Sequence, residues 1–192
     1  MSKVFVLGID GAFPEYIFGE WLDELPNIKK IKEEGSYALL NSTIPPLSVT
    51  AWTSIFTGKS PANTGIFEYV YRENSSLKFN IVTSKNLKEK TIWEILSDKG
   101  KKSIVAYALL TWPTKPFEGW MISDSLLSSS KNSLKSVHPL ELQEELMEIL
   151  GEVPPLDIPH FRNNSEDEII EGVYELTKKQ VDAMKYLIKS KD

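Results

Sequence analysis

Asp10 and Ser48 are the two residues whose surroundings in the sequence suggest chemistry. Asp10 directly follows an unbroken apolar run, residues 4–9, and lies in Gly8-Ile9-Asp10-Gly11. If that run is a buried strand, the carboxylate lies just beyond its carboxyl end, where the functional groups of open α/β sheets gather. The flanking glycines would let a hard cation approach closely. The alternative is a turn aspartate that hydrogen-bonds its own backbone, as Asp-Gly pairs often do.

Ser48 is predicted to lie at the N-terminus of a helix. Pro45 and Pro46 exclude a helix before it, and the residues after it can be helical as far as Gly58. A helix N-terminus offers free backbone N–H groups and a positive dipole end, which favour a bound phosphate and a serine alkoxide. The alternative is that Ser48 only caps the helix, a contribution of about 1 kcal/mol to stability.

The elements that must position these residues follow from hydrophobic patterning and capping signals. Helices are predicted from Pro26 to Gly35, from the capping box at Thr91 to Gly100, over residues 136–151, and onward from the capping box at Ser165. Buried strands are predicted over residues 4–9, 37–43, 103–109 and 120–123. The alternation predicts one α/β domain over residues 1–192, with a mostly parallel sheet flanked by helices. The last helix keeps an apolar face to the end and no strand follows it, so we expect this fold to be incomplete at the C-terminus.

Composition limits the range of functions. The 192 residues carry a formal net charge of −5, which disfavours a nucleic-acid polymer as partner. The absence of cysteine excludes disulfides and thiolate metal sites and fits a cytoplasmic location. The apolar run at the N-terminus is too short to span a membrane. We therefore expect a cytoplasmic protein without a membrane association.

Several motifs, taken in order, resemble the type I phosphodiesterase/nucleotide pyrophosphatase family of the alkaline-phosphatase superfamily, in particular its archaeal branch. Those with the most specific pattern are Gly8-Ile9-Asp10-Gly11, Ser42-Thr43-Ile44-Pro45-Pro46, Ala51-Trp52-Thr53-Ser54, Thr57-Gly58-Lys59-Ser60-Pro61 and Gly65-Ile66-Phe67. The resemblance continues through Val82-Thr83-Ser84, Lys90-Thr91-Ile92-Trp93-Glu94-Ile95-Leu96 and Thr111-Trp112-Pro113. Sulfatases and phosphomutases of the same superfamily fit these motifs less well.

The resemblance implies a chemistry and a site. In the family an aspartate after the first strand binds metal and falls on Asp10, and the nucleophile, which also contacts metal, falls on Ser48. Two divalent ions, zinc or alternatively manganese, would activate the serine for a covalent phospho-enzyme intermediate that water then hydrolyses. The implied substrate is a small nucleotide or phosphodiester.

The sequence also departs from the family pattern. Thr64 stands where the family usually has histidine, which puts one local contact in doubt. The family's remaining metal ligands lie in a later portion of a longer chain, and neither histidine of this sequence, His138 or His160, falls in a matching motif. We interpret both as surface residues, and Asp124 and Asp157 as polar surface rather than ligands.

Two readings of function follow. As a member of this family, the chain would supply Asp10 and Ser48 to half of a dimetal site and would have weak or no activity in this short form. Alternatively, it is a non-catalytic α/β binding or partner module derived from the family. Either form is expected to self-associate through an exposed apolar edge. The aromatic residues are interpreted as core or boundary packing rather than a substrate pocket; they are Phe67, Tyr69, Tyr71, Trp93, Trp112 and Trp120.

Overall fold

The computed structural model describes residues 3–73, 78–124, 136–151 and 164–191. Two compact units are present, Met1–Ser42 and Thr43–Asp192. In the first unit, a π-helical turn at Tyr16–Glu20 and a 3₁₀ turn at Leu22–Glu24 lead into helix α1, Pro26–Glu34. The prediction for α1 is confirmed, since Pro26 occupies its first turn and Gly35 ends it.

The second unit contains the remaining elements. In chain order they are α2 (Ser48–Thr57), α3 (Pro61–Thr64), β1 (Val70–Arg72), β2 (Phe79–Ile81), α4 (Ile92–Ser97), β3 (Ser103–Ala108), β4 (Gly119–Ser123), β5 (Val137–His138), α5 (Glu141–Leu150) and α6 (Glu166–Ser190). Among the described residues, no helix is long and apolar enough to cross a membrane.

The sheets are small, and the prediction of a mostly parallel sheet is not confirmed. Strands β3 and β4 pair in parallel, whereas β5 pairs antiparallel with β4 and β1 pairs antiparallel with β2. The fold is therefore mixed α/β, with one parallel pair among the described strands. The β1–β2 hairpin was not predicted, because both strands are only three residues long and carry a weak alternation signal.

Two predicted strands are wrong. Residues 4–9 and 37–43 contain no strand, and their large hydrophobic residues are exposed, from 46% at Tyr37 to 89% at Leu40. A run of apolar residues indicates a tendency to be buried, but a strand also needs a neighbour that pairs with its backbone groups. No β-pairing involves these residues in the part of the chain that the structure describes.

The predicted helix start at residue 136 is also wrong. Residues Val137 and His138 form β5, because Val137 pairs with Ile122 and His138 with Met121, and α5 begins only at Glu141. The end of α5 at Gly151, which adopts φ 77°, is as predicted.

The capping boxes at Thr91 and Ser165 are both confirmed, with the Glu94 and Glu168 carboxylates accepting the N-cap backbone N–H.

Strand β4 lies between β3 and β5, and its alternate side chains enter cores on its two faces. Ile122 packs with Val137, Leu142, Leu146, Ala183 and Leu187, which joins the sheet to α5 and α6. Met121 packs with Trp93 and Val105. The strand can approach β3 because its first residue is Gly119, where a Cβ atom would lie 1.9 Å from the Ser103 carbonyl oxygen.

Helix α6 is further held by a polar contact at its end. The Glu145 carboxylate on α5 accepts hydrogen bonds from the Lys191 ammonium and from the Tyr186 hydroxyl at 2.6 Å. These two donors lower the pKa of Glu145 below its ordinary 4.5. The contact therefore joins α5 to the C-terminal end of α6 in a pH-dependent way.

The core between the sheet and the last two helices makes a first prediction. Leu146 is fully buried, so Leu146→Ala should lower the free energy of unfolding by about 2–5 kcal/mol. Leu140→Ala, at a position that is 60% exposed, is the matched control and should change it by less than about 0.5 kcal/mol. Urea denaturation followed by circular dichroism measures both, and equal effects would contradict the assignment of this core.

The Glu145 contact makes a second prediction. Because the folded-state pKa is depressed, the stabilisation is present above about pH 4.5 and is lost as the pH falls through the folded-state value. Wild type should therefore be more stable than Glu145→Gln at pH 7, and the difference should shrink below pH 4. Urea unfolding across this range tests it, with the exposed Glu148→Gln as control. If the free energies of unfolding of wild type and Glu145→Gln differ by the same amount at every pH, the ionic account is refuted.

Candidate functional site

Ser48 is the first residue of α2, as predicted. The position before it, the N-cap, is taken by Leu47, whose extended backbone has φ −103° and ψ 144° and whose carbonyl accepts the first helical hydrogen bond, from Ala51 N–H at 2.8 Å. The interpretation of Ser48 as a capping residue is therefore wrong. The first backbone N–H groups of an α-helix have no acceptor within the helix, so they are oriented toward whatever lies beyond its N-terminus.

The residues after Ser48 anchor the helix. Val49 and Thr50 are fully buried, whereas Ser48 itself is half-exposed. The buried Thr53 hydroxyl donates to the Val49 carbonyl at 2.8 Å, one turn back in the helix. Gly58 ends the helix with φ 66°, a conformation that favours glycine. A fixed helix with one partly accessible serine at its start can present a hydroxyl to a bound anion.

Asp10 lies in the other unit, in a turn. Its Oδ1 accepts a hydrogen bond from the Gly11 N–H at 2.9 Å, and Gly11 has φ 68°. This is the backbone contact expected of a turn aspartate. Asp10 remains a predicted metal ligand.

His138 is not the surface residue that we predicted. It is half-buried in β5, and its ring packs at a tilt of 35° against the Phe117 ring, with centroids 5.3 Å apart. Its Nε2 lies 2.9 Å from the Phe117 carbonyl oxygen and 3.3 Å from the Phe117 backbone nitrogen. A protonated Nε2 can therefore donate to the Phe117 carbonyl, and an unprotonated Nε2 can accept from the Phe117 N–H. In either tautomer, this contact joins β5 to the segment that precedes β4.

Asp124 is not a surface residue either. It is 4% exposed and lies directly after β4. Its Oδ2 accepts a hydrogen bond from the Leu110 N–H at 2.7 Å, and its own N–H donates to the Thr111 hydroxyl at 3.2 Å. One signal for this position is present in the sequence, since an acidic residue at the carboxyl end of a buried strand lies where functional residues of α/β sheets gather. The backbone N–H from which its Oδ2 accepts a hydrogen bond could not be predicted.

A small apolar cavity lies beside Asp124 and the start of α2. It measures about 70 Å³, and its lining comprises Val49, Tyr69, Ile81, Val82, Leu109, Leu110, Trp112 and Asp124. Two of the aromatic residues that we assigned to packing, Tyr69 and Trp112, therefore line a cavity.

Trp93 is buried as predicted, whereas Phe67 is 51% exposed. Thr64, at the family's usual histidine position, is fully buried at the end of α3.

The described residues do not assemble a metal-binding cluster. Within residues 3–73, 78–124, 136–151 and 164–191, no group of three or more histidine, cysteine, aspartate or glutamate side chains is close enough to hold an ion. Zinc requires about four ligands, so the residues that the structure describes do not fit a complete dimetal site. Asp157 and His160 lie outside the described residues.

Comparison with known proteins gives one match. The sequence model of the family described as type I phosphodiesterase / nucleotide pyrophosphatase matches residues 4–182. This span contains both Asp10 and Ser48 and extends into α6. No curated protein and no solved structure matches the sequence.

The contacts of His138 make a third prediction. His138→Ala should lower the free energy of unfolding by about 1–3 kcal/mol, because it leaves the Phe117 backbone without its partner. His138→Gln can place an N–H near the Nε2 position and should recover part of the loss. Neither change should alter the affinity for zinc, measured by calorimetric titration. A loss of zinc affinity in His138→Ala would show that this histidine is a ligand.

Proposed function

Because the chain belongs to the type I phosphodiesterase/nucleotide pyrophosphatase family, we propose that it is a phosphoryl-transfer hydrolase in which Ser48 is the nucleophile. The family acts on nucleotide and phosphodiester substrates and is generally metal-dependent. The observation that carries the proposal is the family match across residues 4–182, within which Ser48 begins the partly buried helix α2.

The local structure of Ser48 supports this role. A phosphate bound at the N-terminus of α2 would meet backbone N–H groups and the positive end of the helix dipole, and both stabilise negative charge on the non-bridging oxygens. The Ser48 oxygen would attack phosphorus and lose its proton, and one ester oxygen would depart as the protonated alcohol, which leaves the phosphoryl group, with its second ester group, covalently bound to Ser48. Water would then attack that phosphorus, release a phosphate monoester and return the serine hydroxyl.

Metal ions belong to the proposal through the family. Asp10 is the proposed metal ligand in the first unit, and Ser48 would contact metal as well. Bound zinc or manganese would supply Lewis-acid stabilisation of the phosphoryl oxygens. The described residues form no complete set of metal ligands. We further propose a small nucleotide or phosphodiester as substrate and the cytoplasm as location.

A second candidate function is a non-catalytic binding or partner module of the same family. The observation that favours it is the lack of any cluster of three ligand-type side chains among the described residues. The exposed apolar run at residues 4–9 would suit an association with another chain, including a second copy. The two candidates differ in whether Ser48 becomes phosphorylated.

A kinetic experiment tests the first candidate and constitutes a fourth prediction. The purified chain, with zinc or manganese added, should hydrolyse bis(4-nitrophenyl) phosphate slowly, and Ser48→Ala should lower kcat at least about 100-fold. Ser54→Ala is the matched control on the same helix. Its hydroxyl is buried and has no hydrogen-bond partner among the described residues, so its removal should leave both folding and turnover nearly unchanged.

Mass spectrometry of the acid-quenched reaction provides an independent measurement. A phosphoryl adduct on the peptide that contains Ser48, absent from Ser48→Ala, would support the nucleophile assignment. Turnover that survives Ser48→Ala would refute that assignment. A wild-type chain with neither turnover nor adduct, in the presence of either metal, would favour the non-catalytic module.

A further inference from the structure

The backbone is strained at one position near the end of β3 and at one position in the turn that follows it. Tyr107 has φ 57° and Leu110 has φ 63°, values that residues with a Cβ atom seldom adopt. The pairing of β3 with β4 is interrupted by a register shift between Ala106 and Ala108. Such backbone conformations persist only where surrounding contacts impose them, and they concentrate at functional sites.

Asp124 supplies the contacts that impose the conformation at Leu110. Its Oδ2 accepts the Leu110 N–H at 2.7 Å, a short hydrogen bond. The Asp124 N–H donates to the Thr111 hydroxyl, which in turn donates to the Ala108 carbonyl at 2.6 Å. Asp124 is 4% exposed, so water competes little for these bonds.

The turn is in contact with the helix that begins at Ser48. Leu110 belongs to the same buried cluster as Val49, together with Ile66 and Val82. Val49 is fully buried and is the residue directly after Ser48. Leu110 and Val49 also line the same cavity, into which Trp112 from the turn extends as well. A shift of the Leu110 side chain would therefore change the packing of Val49 in the first turn of α2.

We propose that Asp124 is a positioning residue for Ser48. The carboxylate fixes the strained turn at Leu110, Leu110 fixes Val49, and Val49 fixes the start of α2 and hence the direction of the Ser48 hydroxyl. The catalytic meaning of this arrangement rests on the proposed function. The mechanical coupling between Asp124 and the α2 N-terminus can be measured without it.

Nuclear magnetic resonance of the full chain measures the coupling directly. In Asp124→Ala, the Leu110 amide should lose its downfield shift and exchange with solvent at least about tenfold faster. The Val49 methyl and Ser48 amide resonances should shift at the same time. Asp124→Asn retains an oxygen acceptor and should show the same changes at reduced size. Tyr186→Phe removes a hydrogen bond in the core around Leu146 and should leave all three sets of resonances in place.

The outcomes separate coupling from local stability. Changes confined to Leu110, with Val49 and Ser48 unaffected, would overturn the inference, because the carboxylate would then stabilise only its own turn. If Asp124→Ala does not fold, Asp124→Asn compared with wild type decides the same question by the same resonances.

Kinetics add a second measurement where the wild type hydrolyses bis(4-nitrophenyl) phosphate. Asp124→Ala should then lower kcat about tenfold with KM within about twofold, since a displaced nucleophile affects the chemical step more than binding. A kcat of Asp124→Asn between those of Asp124→Ala and wild type supports the inference. An unchanged kcat in Asp124→Ala overturns it. A wild type without turnover counts against the proposed function, while the Val49 and Ser48 resonances still decide the coupling.

Discussion

The second unit depends on the pairing of strand β4 on both of its edges. β3 pairs with one edge in parallel and β5 with the other in antiparallel orientation, so the backbone groups of β4 are satisfied while its side chains point alternately to two cores. Ile122 enters the core with α5 and α6, and Met121 enters the core with Trp93. The close approach of β4 to β3 is possible only because Gly119 has no Cβ atom.

The same strand places Asp124 at its carboxyl end, and the candidate site depends on this placement. The Asp124 side chain is 4% exposed, and its Oδ2 accepts a hydrogen bond from the Leu110 backbone N–H. The donor belongs to a residue at positive φ, so this hydrogen bond helps to hold a strained backbone conformation. The turn held in this way packs against Val49. Strand β4 thereby connects the core to the helix that carries Ser48.

Family membership and the described structure constrain the function in different ways. The match over residues 4–182 places the chain in a family that acts on nucleotide and phosphodiester substrates. The described residues give a serine at a helix N-terminus and an aspartate in a turn, with no cluster of three ligand-type side chains. A hydroxyl needs a base or a metal to become a nucleophile at neutral pH, so the decisive chemical question is what activates Ser48.

The sequence by itself determined the features that depend on a few neighbouring residues. The start of α2 after Pro46, the end of α1 at Gly35, and the capping boxes at Thr91 and Ser165 were all predicted, since prolines, glycines and caps act within one helical turn. The motifs around Asp10 and Ser48 were also sufficient to indicate the family. These are local signals that each stretch of sequence carries independently of the rest of the fold.

Only the tertiary structure decided the features that require a partner distant in sequence. Residues 4–9 have the pattern of a buried strand and yet form none, because a strand exists only where another strand pairs with it. Residues 137–138 form a strand because β4 lies beside them. His138 and Asp124 are typical surface residue types, yet His138 is half-buried, Asp124 is buried, and each forms a hydrogen bond with a backbone group distant in sequence, at Phe117 or Leu110. Composition and spacing cannot reveal such a partner, since the chain must fold before the two groups meet.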